Sequence, residues 1–289
     1  MSKDTGIAWE KTSASEEMKW SSIACNSTGA KVYASAGAAG VYISDDFGRS
    51  FEKADGTDVS GNWQAVATDS TGQYAYALDL DDTSFVIRTS DGGVTWLQVQ
   101  IPSMYENLFG AKAVTVSADG MHVAISFENA LILVSNDYGK NFDTGFFPGG
   151  EYSQFFRWNA LASSYSGQYV FGSSEIPNAE IQKNSNYGGT STKEWIPLEE
   201  TKGYQWIDIA CDSSGQILFG TTEGANGFIF QSVDGGITWS AVDGGDILLP
   251  QSYTSVATSS CGALTFATTE NGIYTGVIDT NSVPTSVQL

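Results

Sequence analysis

Glutamates recur at one position of a repeated unit, and carboxylates held in register are the residues of this chain with the means to do chemistry. Glu128, Glu175, Glu223 and Glu270 each follow a turn glycine by eight residues. At the same offset the second unit has Leu80, flanked by Asp79 and Asp81, and the first has Gly37. Two carboxyls about 5 Å apart suit retaining glycoside hydrolysis, and about 6.5–9.5 Å suits inversion. Several oxygens within about 2.6 Å of one point would instead hold a divalent cation. Glutamates that converge on nothing form a solvated rim. An aromatic set accompanies them: Trp20, Trp63, Trp158, Trp206 and Tyr253 share one repeat position, with Ala111 and nearby Phe109 in the third unit. Such rings can stack on sugars, or pack as a repeated core element, which is the default for a Trp opening an inner strand.

Two motifs define the elements that position these sets. The first reads W-x-x-[VIL]-A-x-x-x-x-G. It occurs at 20–29, 63–72, 158–167 and 206–215, with looser copies at 111–120 and 253–262. Its glycines lie 43 to 48 residues apart. The second reads S-x-D-x-G-x-T-W and is clearest at 232–239 and 89–96. Looser copies centre on Asp46 and Asp137, a decayed copy begins at Asn184, and another lies at 2–9 around Asp4. In this motif the carboxylates of Asp46, Asp91, Asp137 and Asp234 accept from following N–H groups, glycine supplies a positive φ, and the aromatic starts the next strand. That is hairpin chemistry and needs no ligand.

A period in the forties with four strand-like runs per unit predicts a β-propeller. We predict one domain over 1–289, all-β and six-bladed, with blades beginning near 20, 63, 111, 158, 206 and 253 and a tail at 280–289. In the first unit the strands a, b, c and d fall at 20–25, 31–35, 41–44 and from 51. The last unit carries no fourth strand of its own, and residues 7–11 supply it, closing the ring and hiding an edge. This geometry puts the aromatic and acidic sets on one face around the channel and the Asp-centred turns on the opposite rim.

The second motif resembles the Asp-box, or BNR, repeat of sialidase-like β-propellers. Such repeats also occur in other glycoside hydrolases, sortilin-type receptors and photosystem assembly factors. The resemblance implies the fold and leaves activity open, since these propellers host enzymes, lectins, receptors and scaffolds. Sialidase activity would imply three arginines clamping a carboxylate. The chain has Arg49, Arg88 and Arg157, and only Arg157, beside Trp158, is placed for the channel face. Sialidase chemistry is therefore set aside, and no catalytic residue is assigned. The candidate ligand-binding residues are Trp20, Trp63, Trp158, Trp206, Tyr253, Asp81, Glu128, Arg157, Glu175, Glu223 and Glu270. They would serve a non-catalytic binding or scaffold propeller with a glycan or protein partner. The alternatives are a glycoside hydrolase or polysaccharide lyase working through a carboxylate pair, and a structural or assembly subunit of a larger complex.

The formal charge of −20, from 33 acidic and 13 basic residues, argues against nucleic acid and anionic membranes as partners. It fits a self-repelling, soluble monomer, or a cationic partner. No run of about 18 apolar residues predicts a membrane span. The start of the chain lacks the apolar core of a signal peptide, and a trimmed protein of an extracellular or other exported compartment is expected. No cofactor is evident beyond a candidate divalent cation on the acidic set. Cys25 and Cys211 occupy the same repeat position in non-adjacent units, so they should not pair and read as small core residues. His122, the one histidine, falls on a b strand without a catalytic partner in view. Deleting residues 1–12 should lower the melting temperature strongly; an unchanged temperature would refute closure by the N-terminal strand.

Overall fold

The computed structural model describes residues 10, 12, 18–56, 61–102, 110–128, 131–146, 157–176, 179–189, 194–224, 227–242, 252–270 and 272–277. Six antiparallel sheets follow one another in a ring, a six-bladed β-propeller. Blade 1 holds β1 (Ser22–Cys25), β2 (Val32–Ser35), β3 (Val41–Ser44) and β4 (Glu52–Lys53). Blade 2 holds β5 (Trp63–Thr68), β6 (Ala75–Asp79), β7 (Phe85–Thr89) and β8 (Leu97–Gln100). Blade 3 holds β9 (Ala111–Val116), β10 (Val123–Phe127), β11 (Ile132–Ser135) and β12 (Asp143–Phe146). Blade 4 holds β13 (Trp158–Ser163), β14 (Val170–Ser174), β15 (Gln182–Asn184) and β16 (Trp195–Pro197). Blade 5 holds β17 (Trp206–Cys211), β18 (Leu218–Thr222), β19 (Ile229–Ser232) and β20 (Ser240–Ala241). Blade 6 shows three strands among the described residues: β21 (Tyr253–Thr258), β22 (Leu264–Thr269) and β23 (Gly272–Val277). The strand expected at 7–11, the turn around Asp4, Phe109 and the tail at 280–289 lie outside the described residues, apart from Glu10, which is in no strand.

Each blade is an up-and-down meander, and its register fixes the two rims. In blade 2, Thr68 pairs with Ala75 and Ala75 with Thr89, so the turn after β5 and the Asp-centred turn share one rim. Trp63 pairs with Asp79 at the other. Registers slip at the second residue of β5, β13, β17 and β21. This repeated bulge re-aims one side chain per blade, and in blade 4 it is Asn159, whose Nδ2 donates across to the Trp206 carbonyl at 3.0 Å.

The Asp-centred turns are closed hydrogen-bonded units. Asp91 accepts from the Thr95 N–H at 2.9 Å, the Thr95 hydroxyl at 2.6 Å and the Thr89 hydroxyl at 2.8 Å. Thr89 Oγ1 in turn accepts from the Gly93 N–H at 2.9 Å. Asp46, Asp137 and Asp234 repeat the pattern. Gly93 is required twice over: its φ is +90°, and a Cβ there would run into Ile43 and Tyr33 of blade 1. In blades 3 and 4 an aromatic takes the left-handed position before that glycine and packs on a ring of the preceding blade. Tyr138 lies 4.9 Å from Tyr74, and Tyr187 lies 4.2 Å from His122. His122 is thereby a seam residue, with its Nδ1 2.7 Å from Asn136 Oδ1.

The core lies between blades. Five buried clusters each draw on two neighbouring sheets: blades 1 and 2, 2 and 3, 3 and 4, 4 and 5, and 5 and 6. The second strands β6, β10, β14 and β18 are buried along their whole length, covered on both faces. A relay of backbone bonds joins the turns after the inner strands. Ser27 donates to Ser70 at 2.9 Å, Ser70 to Ala118 at 3.0 Å and Ala118 to Tyr165 at 2.8 Å. Tyr165 donates to Ser213 and Ser213 to Ser260, both at 2.9 Å. Among the described residues no matching bond leads from Ser260 back to Ser27.

Hydrogen bonds from the Thr95 hydroxyl and N–H hold the Asp91 carboxyl below the usual range. At Asp234 partial burial pulls upward, and the bonds from Thr238 and Ser232 outweigh it. A folded-state value below the unfolded value of about 3.9 gives stability that is present above that pH and lost as pH falls through the folded value. With the carboxylate exposed and its bonds screened by solvent, Asp91→Ala should therefore cost about 0.5–1 kcal/mol near neutrality. Its deficit against the wild type should shrink as pH falls through the folded value, read from urea unfolding at each pH.

Candidate functional site

The upper rim, where the inner strands begin, is where the sequence placed both candidate sets. The structure separates them. Trp63, Trp158, Trp206 and Tyr253 are between 0% and 3% exposed. Trp206 packs edge-on against Phe230, its ring also touches Trp239, and its Nε1 donates to the Thr201 carbonyl at 2.9 Å. Trp158 packs against Phe146 and Trp195. These four rings are core and offer no platform to a sugar. Trp20 is half-buried, against Tyr42 and Phe51. The signal for burial was present in the second strands. Gly172 and Gly220 leave the space that the Trp158 and Trp206 rings fill, and a Cβ at Gly172 would lie 2.7 Å from its ring.

The acidic set stays on the rim, anchored by backbone pairing to the residue before each inner strand. Glu128 N donates to Gly110 O, Glu175 N to Arg157 O and Glu223 N to Gln205 O, at 2.9 to 3.0 Å. Leu80 N makes the same bond to Asn62 O in blade 2. The side chains then divide. Glu128 forms an ion pair with Lys112 at 2.8 Å, and Glu175 with the exposed Arg157 at 3.5 Å. Asp81, Glu223 and Glu270 are exposed and carry no ion pair among the described residues. Lys112 is the cation that sequence reasoning passed over; its place beside the first residue of β9 was the available clue.

Asp79 organises the rim turn of blade 2. It is 1% exposed, and its Oδ1 accepts from the N–H groups of Asn62, Asp81 and Asp82 at 2.8 to 3.2 Å. Its Oδ2 is buried without a partner. The carboxyl that burial raises among the described residues is Asp208, despite bonds from the Ser255 hydroxyl and the Val256 N–H. Asp208 lies between blades 5 and 6 and staples them. Among the described residues no three His, Cys, Asp or Glu side chains converge as metal ligands. Cys25, expected in the core, is exposed on the flank of blade 1 that carries Ile23; Cys211 is half-buried and Cys261 exposed, and all three are free thiols.

A six-bladed propeller with a partly neutralised acidic rim is the class these features define. No protein family and no curated protein matches the sequence. Solved structures match in fold. A GH74 xyloglucanase from Xanthomonas campestris is 16% identical with a TM-score of 0.69, over 89% of this chain and 44% of that one. A GH74 enzyme from Niastella koreensis is 16% identical with a TM-score of 0.67, over 91% and 46%. YCF48 bound to a D1 peptide is 14% identical with a TM-score of 0.53, over 90% and 93%. The chain spans less than half the length of these two GH74 enzymes, and the likeness is one of fold.

Truncating a core ring and neutralising a rim carboxylate should differ sharply. Trp206→Ala should cost about 3–5 kcal/mol, while Glu223→Gln should stay within about 0.5 kcal/mol, both measured by urea unfolding.

Proposed function

We propose that this protein is a non-catalytic binding propeller that takes a basic segment of a protein partner on its acidic upper rim. The observation that carries the reading is the set Asp81, Glu223 and Glu270: exposed, on one rim and without cation partners among the described residues. Glu223 and Glu270 come from the same repeat position in adjacent blades, so the ring presents them in parallel. The net charge of −20 adds a long-range field that draws cationic partners. A glycan partner loses support, since four of the five aromatic rings proposed to stack on it are buried. A carboxylate-pair hydrolase loses two candidates to ion pairs with Lys112 and Arg157. Among distant structures of this fold, YCF48 has been solved with a D1 peptide, so a peptide partner is within the reach of the architecture. An extracellular or other exported location remains part of the proposal.

The test is fluorescence anisotropy with a labelled octa-arginine peptide across a range of salt. Glu223→Gln with Glu270→Gln should weaken binding at least fivefold. Removing the same charge from the outer edge of blade 1, with Glu52→Gln and Asp55→Asn, should change it less than twofold. Equal losses in both variants would show that net charge alone binds the peptide, and the proposal would fall. Turnover of xyloglucan that Glu223→Gln abolishes would replace it with the hydrolase reading.

A further inference from the structure

Every blade presents two flanks, and the flank that faces the preceding blade is built from the same positions each time. The fourth residue of the inner motif is its centre. Val66, Leu161, Ile209 and Val256 hold that position in blades 2, 4, 5 and 6, and all are at most 9% exposed under the preceding blade. In blade 1 the residue is Ile23, which is 69% exposed.

The rest of the flank agrees. Trp20 is half-buried where its counterparts are sealed. Phe47 takes the left-handed position that Tyr138 and Tyr187 occupy, yet it is 49% exposed and, among the described residues, stacks on no ring of a neighbouring blade. Around the turn glycine, a Cβ at Gly72, Gly120, Gly167, Gly215 or Gly262 would meet a side chain of the preceding blade, and one at Gly29 would meet nothing within 4 Å. A groove of about 630 Å³ runs along this flank, lined chiefly by Trp20, Ile23, Ala24, Val32, Phe47 and Phe51.

We propose that the open flank of blade 1 is a docking site for a β-hairpin of another polypeptide. The five internal interfaces say what such a hairpin must look like. The cover over Val66 is the β2–β3 hairpin, which contributes Tyr33 from its first strand and Val41 and Ile43 from its second. Tyr33 also donates its hydroxyl to the Gly72 carbonyl at 2.7 Å. The open flank is the next member of that series and takes the same chemistry: an aromatic from one strand, aliphatics from the other. Its partner should be neutral or basic outside the contact, because the chain carries −20. The described strands of blade 6 do not supply this cover, since Ala257 and Ile273 remain exposed. This inference concerns a surface away from the acidic rim and does not rest on the function proposed for it.

Cys25 lies on the flank and reports on it. Local burial pushes the Cys25 thiol up and pushes the less exposed Cys211 thiol up much further, so in the full chain with Cys261→Ser a thiol reagent at alkaline pH should label the exposed Cys25 and leave Cys211 silent. The probe is a synthetic peptide of residues 31–44, the hairpin that covers the equivalent flank of blade 2. It should slow Cys25 labelling at least fivefold at about millimolar concentration, and a scrambled peptide should not. Ile23→Asp should abolish the protection with no change in melting temperature, because Ile23 is exposed. Three results would each overturn the proposal: an unreactive Cys25 in the free protein, which would show the flank already covered by the chain itself; no protection by the peptide; or equal protection by the scrambled one.

Discussion

The structure depends on one contact made repeatedly: the leading flank of each blade pressed against the hairpin of the blade before it. A four-stranded blade of this kind has no core of its own. Its second strand is buried along its whole length in blades 1 to 5, and every buried apolar cluster among the described residues spans two sheets. Stability is therefore shared between neighbours, as in other repeat architectures. The Asp-centred turns serve that contact. They hold β-turn and strand in one geometry, so that a glycine such as Gly93 can approach Tyr33 and Ile43 of the next sheet closely enough to exclude water. The polar groups of the turn satisfy one another, and the apolar contact beneath is left dry.

Much of this was legible in the residues themselves. The spacing of the turn glycines marked the blades, and β3 falls at 41–44, where the first unit placed its c strand ahead of the Asp-centred turn. The opposition of the two rims also followed, because an antiparallel meander returns to the same edge every second strand. The site was less legible for a physical reason. Repetition shows that Trp63, Trp158 and Trp206 do one job, and it does not show which. A ring opening an inner strand can stand on the rim or fold into the seam. What decides is the small residue opposite, Gly172 or Gly220, two strands' worth of sequence away. Likewise Glu128 and Glu223 are equivalent by position and differ only because Lys112 reaches one of them.

Blade 4 shows how far the repeat tolerates decay. Its turn has Asn184 and Asn186 in place of the hydroxyl and carboxylate. Asn186 N–H donates to Asn184 Oδ1 at 2.7 Å, and Glu194 accepts from Asn186 Nδ2 at 3.4 Å. Trp195 then bonds through Nε1 to the carbonyls of Gly145 and Gly188, at 3.1 and 2.9 Å, tying blade 4 to blade 3. The turn chemistry changed while the seam it supports was kept. Selection on the seam and latitude in the turn are what a ring held together by its interfaces requires.

The same reasoning separates what is structural from what is available for binding. Residues that recur and are covered belong to the seams: the buried tryptophans, His122 against Tyr187, and Asp208 holding Ser255 and Val256. Residues that recur and are uncovered have no structural partner to explain them. Among the described residues Glu223 and Glu270 meet that description on the rim, and Ile23 meets it on the flank of blade 1. A tryptophan at position 20 is the same residue in the same place in its motif as Trp63, yet one is half-exposed and the other sealed. Trp63 lies in the buried cluster that blades 1 and 2 share, while Trp20 packs on Tyr42 and Phe51 of its own blade, so exposure at a seam position reports which sheet stands beside it among the described residues.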